Sequence, residues 1–312
     1  MLRKFATYCL LFFIPVIGIY CIAEYLTLNI PSSFTSNVAY MEAEEYTFEN
    51  MVLGSSQMQQ AVNPEWIQSS TLNMASGDQH HDTDFKLLKG MEDRLPHLKT
   101  IIFEVSYSHF EIAHNSKDFW KNNFYLKYYG INNFERGIYF KDKLAYLSNP
   151  PFFSKKIIEY YVDGEHKEVY NAQGFNTNSF HGQFQNLGHD EEKIAAMPRF
   201  KINTEPNLDI FEVNTRLYFE MLDYLQEKGY NVVICKVPMY KTYHDRKHPG
   251  ILHRRDSILN ESLERYANVT LFDLEQDTLN FEVHDFWNQS HLNPNGAEKY
   301  SRRLDSLLRT LK

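Results

Sequence analysis

Residues 51–57 read Met51-Val52-Leu53-Gly54-Ser55-Ser56-Gln57, an apolar triplet that runs directly into a glycine and two serines. The triplet has the length and character of a short buried strand, and a glycine after it permits a sharp turn. Open α/β sheets form their sites beyond the carboxyl ends of strands, and a serine on such a turn presents its hydroxyl there. Alone, Gly-Ser-Ser in this position is commonly a turn or a helix cap. About 235 residues later, Ser290-His291-Leu292-Asn293-Pro294-Asn295-Gly296-Ala297 places a histidine just before the last helix. Serine becomes a nucleophile when a histidine takes its proton, and the two residues meet in space however far apart they lie in the chain.

Outward from this triplet, strand and helix signals alternate. Pro64 opens a brief helix over 63–68, and Thr71–Met74 reads as a second strand. A helix over 84–95 stops at Pro96, and Thr100–Val105 is a strongly apolar strand. Later come an amphipathic helix over 209–228 stopped by Gly229, a strand over 231–237, a helix over 256–266 and a strand over 269–272. The final helix follows Asn293-Pro294 and carries Ala297, Tyr300, Leu304 and Leu308 on one face. This alternation predicts a three-layer α/β domain over residues 48–312, with a mainly parallel sheet flanked by helices. Residues 110–205, rich in Tyr, Phe, Lys and Asn, read as a cap-like insertion with helical pieces near 117–130 and 153–162.

At the N-terminus, Arg3 and Lys4 precede an uncharged run from Phe5 to Ala23. Its ~19 residues are just enough to cross a bilayer as a helix, and Pro15 is tolerable there. Residues 1–24 are therefore expected to be a transmembrane anchor, with residues 25–47 as a stalk. Positive charge on the N-terminal side places that end in the cytoplasm and the domain on the extracytoplasmic face. The sequence Tyr20-Cys21-Ile22-Ala23-Glu24 fits a small-x-small cleavage site poorly, which favours an uncleaved signal-anchor.

Composition narrows the function. A net charge of −8 without a basic stripe argues against a nucleic-acid partner. Hydrophobic residues at 43% and charged residues at 23% are those of a globular protein. The three cysteines form neither a disulfide framework nor a metal-ligand spacing, and Cys235 reads as a core residue. Aromatic residues reach 15%, chiefly for core and surface, with a carbohydrate-stacking groove as the lesser reading. His80-His81-Asp82 are neighbours on a loop and do not face one site, so neither a metal nor a cofactor is expected. His244 belongs to a polar loop after the 231–237 strand and is a candidate substrate contact.

The segment Val52-Leu53-Gly54-Ser55-Ser56-Gln57 resembles the first block of the SGNH (GDSL-like) hydrolase and acyltransferase superfamily. The nucleophile then falls on Ser56, with Ser55 where that superfamily usually has Asp. Ser290 to Ala297 looks like its last block, which puts the general base on His291. The likeness is nearest to membrane-anchored, envelope-facing members, including the D-alanyl transfer protein of teichoic-acid modification. It implies an SGNH/flavodoxin-like fold and an acyl-enzyme on Ser56 that is released to water or to a sugar hydroxyl. It also implies an oxyanion hole built from the N–H groups of Ser56 and Gly77. The third block normally adds an Asn. Here the strand ends Glu104-Val105-Ser106-Tyr107-Ser108, so Ser106 or Ser108 stands in, Ser106 as a donor and Ser108 as a substrate contact. The residue three before the histidine is Asn288 in place of Asp, and Asp285 is an equal candidate to orient His291. The implied substrate is an acylated envelope polysaccharide, with a membrane-bound partner that delivers acyl groups in the transferase version. A non-catalytic glycan-binding or assembly module is the second reading; the Asn288 substitution and the missing Asn favour it.

Overall fold

Parallel strands are covered on both faces and therefore read as continuous apolar runs. Ile101, Ile102 and Phe103 are such a run, and all three are fully buried. The computed structural model describes residues 2–197, 200 and 202–311. Five strands make one sheet: β1 (Asn50–Val52), β2 (Thr71–Asn73), β3 (Thr100–Glu104), β4 (Asn231–Lys236) and β5 (Val269–Asp273). Every pairing is parallel, in the order β2-β1-β3-β4-β5. Met51 sits between Leu72 and Ile101, and Ile102 lies beside Val233. The chain leaves β1 to one side for β2, then crosses to the other side for β3. Such a reversal opens a crevice at the carboxyl ends of the strands.

The helices that position the site are, in chain order, α1 (Leu2–Leu28), α2 (Ser33–Ala43), α3 (Ser56–Ala61), α4 (His81–Met91), α5 (Ala145–Ser148), α6 (Pro150–Ile157), α7 (Leu208–Glu227), α8 (Pro249–Arg265) and α9 (Pro294–Leu308). On one face of the sheet, Met41 of α2, Leu87 of α4 and Leu222 of α7 pack over Met51, Ile101 and Ile234. On the other, Met58 of α3 with Tyr300 and Leu304 of α9 pack over Val52, Ile102 and Val233. The result is a three-layer α/β fold.

Several boundaries differ from the sequence reading. The helix expected over 256–266 begins at Pro249. Proline suits a first helical position because its missing N–H has no role there, and the His248 ring accepts the Gly250 N–H at 3.1 Å. The helix expected from Asp84 begins at His81. The stalk expected over 25–47 is part of the folded body. α1 continues to Leu28, Ser32 and Thr35 form a reciprocal cap, and α2 then buries Phe34, Tyr40 and Met41 in the core. Apolar side chains at these positions remove more surface from water by packing than a free tether would.

Within 110–205, the chain forms short helices and two wide single turns, Tyr125–Tyr129 and Ile158–Val162. α5 is tied to α1, since Glu24 accepts the N–H groups of Ala145 at 2.9 Å and Tyr146 at 2.7 Å. α1 is long and apolar enough to cross a membrane.

Candidate functional site

The turn after β1 is built on Gly54. Its φ of +122° is a conformation that side-chain-bearing residues rarely adopt. A Cβ there would also stand 3.1 Å from Met58 and 3.2 Å from Glu104. Two buried carboxyl groups hold the turn from behind. Asp84 accepts the Gly54 N–H at 3.0 Å and Glu104 accepts the Ser55 N–H at 2.9 Å. Burial pushes the Asp84 carboxyl well above the usual range and raises Glu104 to about 6. The Ser55 hydroxyl caps α3 by accepting the Gln57 N–H at 3.2 Å. Ser56 is thus the first residue of α3, where a backbone N–H has no intrahelical acceptor.

His291 arrives on a hairpin of β6 (Phe286–Asn288) and β7 (His291–Leu292), whose register sets Asn288 opposite His291. The Gln289 carbonyl anchors the turn by accepting the Tyr240 N–H at 2.9 Å. Asn293 then caps α9, accepting the Asn295 N–H at 3.0 Å and the Gly296 N–H at 3.2 Å. Its amide donates back to the His284 carbonyl at 2.7 Å and to the Phe286 carbonyl of β6 at 3.4 Å, which ties the cap to the hairpin. Gly296 lets the helix approach closely, because a Cβ there would lie 2.3 Å from the Asp285 carbonyl oxygen.

These two segments bring Ser56 Oγ to 2.8 Å from His291 Nε2. On the far side of the ring, Nδ1 lies 3.0 Å from Asn288 Oδ1 and 3.1 Å from Ser290 Oγ. Asn288 Oδ1 also accepts the Ser290 N–H at 2.9 Å, which fixes the amide oxygen toward the ring. The proton therefore sits on Nδ1, and Nε2 offers its lone pair to the Ser56 hydroxyl. Surrounding protein desolvates the ring and lowers the His291 pKa to about 4. The neutral imidazole that can accept a proton is thus the form present at neutral pH. Ser56, Asn288 and His291 line a cleft of about 550 Å³ together with Ser106 and Ser108.

Other candidates are placed differently. Asp285 does not turn toward His291; its carboxylate takes the Lys299 ammonium at 2.7 Å and the Glu282 N–H at 2.8 Å. Gly77 stands beside Ser56, with a Cβ position 3.8 Å from that of Ser56, but its N–H donates to Gln59 Oε1 at 3.2 Å. His244 does not line the cleft; Tyr243 does.

Four contributors escaped the sequence reading. Glu104 and Asp84 brace the turn, and Gln59 occupies the Gly77 N–H. Lys121 donates to the Gly77 carbonyl and reaches Ser76 Oγ at 3.2 Å, and burial lowers its pKa to about 8. A charged residue closing the apolar run Thr100–Val105 was the one available signal, and it pointed to Glu104.

No family model matches the chain, and no curated protein matches it in sequence. A crystal structure of a candidate acylhydrolase from Bacteroides fragilis NCTC 9343 aligns with 88% of this chain and 95% of its own, at 9% identity and a TM-score of 0.39.

Proposed function

We propose that this protein is a membrane-anchored serine enzyme, an acyl-ester hydrolase or O-acyltransferase acting on an extracytoplasmic envelope polysaccharide. The supporting observation is the relay Ser56 Oγ, His291 Nε2, His291 Nδ1, Asn288 Oδ1 at the carboxyl end of β1, with contacts of 2.8 and 3.0 Å. In this reading His291 takes the Ser56 proton as the oxygen attacks an ester or thioester carbonyl. The Ser56 N–H stabilises the oxyanion from the start of α3. His291 then returns the proton to the leaving group. Water or a sugar hydroxyl attacks the acyl-enzyme in the second half, again with His291 as base. The anchor would hold the site near exported glycan, with the N-terminus in the cytoplasm.

The test is active-site labelling of the full chain in detergent with a fluorophosphonate probe. Wild type is expected to label, and Ser56→Ala and His291→Ala to lose labelling. Loss of the base alone is expected to lower turnover of a simple aryl acetate by about 10²–10⁴-fold. A folded wild type that does not label would overturn the enzyme reading. A second reading, a glycan-binding or assembly module, draws on the Gly77 N–H being turned to Gln59 and on the amide at position 288. Glycan retention by an unlabelled protein would support it.

A further inference from the structure

Outside α1, exposed large apolar side chains gather in one stretch, residues 138–169, including Phe140 at 80% and Val162 at 75% exposure. Elsewhere among the described residues only Leu208, Val213, Leu263 and Leu279 are so placed. The stretch is docked on the C-terminal end of α1. The Tyr20 and Tyr146 rings lie 6.0 Å apart between centroids, and the Tyr161 hydroxyl donates to the Leu26 carbonyl at 3.1 Å. Glu24 accepts the two N–H groups that open α5 and lies 3.4 Å from the Lys127 ammonium.

Position along α1 sets a depth. Lys4 and Glu24 bracket the uncharged run. Its ~19 residues rise about 30 Å, the thickness of a hydrocarbon core. Tyr20 lies one helical turn inside Glu24, or ~6 Å. A group that touches both Tyr20 and Glu24 therefore stands where headgroups meet acyl chains, the level at which tyrosines are favoured. Glu24 at that depth is compensated by a cation and two backbone donors, as a carboxylate near lipid requires. Most acids on the stretch are paired too, Glu159 with Lys155 at 3.5 Å, Glu165 with Lys167 at 2.6 Å and Glu168 with Lys156 at 3.3 Å, while the exposed Asp163 after Val162 marks where the chain turns back to water.

We propose that residues 138–162 lie in the membrane interface beside α1, with Phe140 and Val162 inserted into a lipid bilayer. The domain is then docked on the membrane surface rather than hung from a tether. The inference rests on reading α1 as a membrane span. Docking also brings a second cavity close to the membrane surface. That cavity, about 220 Å³, extends from Thr27 at the end of α1 past Trp120 and Phe152 to Lys121 and Gly77, next to Ser56.

The test uses the full chain in nanodiscs of phosphatidylcholine and phosphatidylglycerol that hold no other membrane protein. Nitroxides are placed singly through Phe140→Cys and Val162→Cys, in a background where Cys9 and Cys21 are Ser and buried Cys235 is kept. Phe13→Cys reports the middle of the span and Leu279→Cys reports water. Collisional relaxation by oxygen and by a water-soluble nickel chelate is then compared. The labels at 140 and 162 are expected to show an oxygen-to-nickel ratio several-fold above that at 279, approaching that at 13. A lipid signal at 13 with aqueous signals at 140 and 162 overturns the proposal. An aqueous signal at 13 as well removes the membrane span and the proposal with it. Neither result bears on labelling of Ser56, so this test and that of the catalytic reading fail independently.

Discussion

Asn288 sets how His291 holds a proton. An amide oxygen orients imidazole but adds no full charge to stabilise imidazolium, and desolvation is left to lower the ring pKa to about 4. In the proposed reaction His291 accepts a proton in its neutral form, so activity is expected to fall as pH drops through about 4 and to hold above it. Asn288→Asp places a carboxylate against Nδ1 and favours the charged ring. The acid limb of the kcat/KM profile is expected to move to higher pH, and an unmoved limb would show that position 288 does not govern the base. Asn288→Ala leaves the ring unoriented, with an expected loss in kcat/KM of about 10²-fold. The substitution changes side-chain contacts on one hairpin only, so the melting temperature should shift little.

Elements carry the next level of control. The β6–β7 hairpin and α9 form one unit, because Asn293 caps the helix and bonds the Phe286 carbonyl of the hairpin through the same side chain. Gly296 is where they touch. Gly296→Ala forces a methyl group to within 2.3 Å of the Asp285 carbonyl unless the helix retreats. The expected result is destabilisation of about 1–3 kcal/mol in denaturant titration, of the size that overpacking brings. It should also depress turnover, since the helix start and His291 shift together. A variant with full stability and full turnover would show that the close approach does not matter. The Gly54 turn is the counterpart on the Ser56 side, braced by Asp84 and Glu104.

Across the molecule, a buried ionic centre joins α8 to the loop after β5. Arg255 grips Glu275 with two contacts of 2.8 and 3.0 Å, and Lys247 adds a third at 3.0 Å. Burial disfavours the Glu275 charge, but the Arg255 and Lys247 partners outweigh it and hold the carboxyl down at about 2, below its ordinary 4.5. The stabilisation is therefore complete above about 4.5 and is lost as pH falls toward about 2. Glu275→Gln leaves the buried Arg255 with Asp256 as its one remaining anion and takes the carboxylate from Lys247, and an expected loss of about 3 kcal/mol follows. Urea unfolding at neutral pH measures it. The difference between wild type and variant should shrink in acid, where the wild-type carboxyl is itself neutralised.

Much of this architecture was legible in residue order. Parallel strands buried on both faces leave apolar runs, and Thr100–Val105 and Asn231–Val237 were such runs. The likeness of two segments to a known superfamily pointed to Ser56 and His291, with Asn288 and Asp285 as equal candidates to orient the ring. The sequence could not show that residues 25–47 pack, because a helix of mixed side chains acquires a buried face only when a partner covers it. Nor could it separate Asn288 from Asp285. The two lie three residues apart, and the choice fell to a hairpin register that turns one to the ring and the other to Lys299. Glu104, Gln59 and Lys121 reach the site from β3, α3 and the segment after Ser116 through long-range packing. By itself, then, the sequence determined the α/β alternation, the long apolar N-terminal helix and the Ser and His segments, since periodicity and turn chemistry are local properties. The tertiary structure alone decided which groups meet, because contacts across 235 residues depend on sheet order and helix packing.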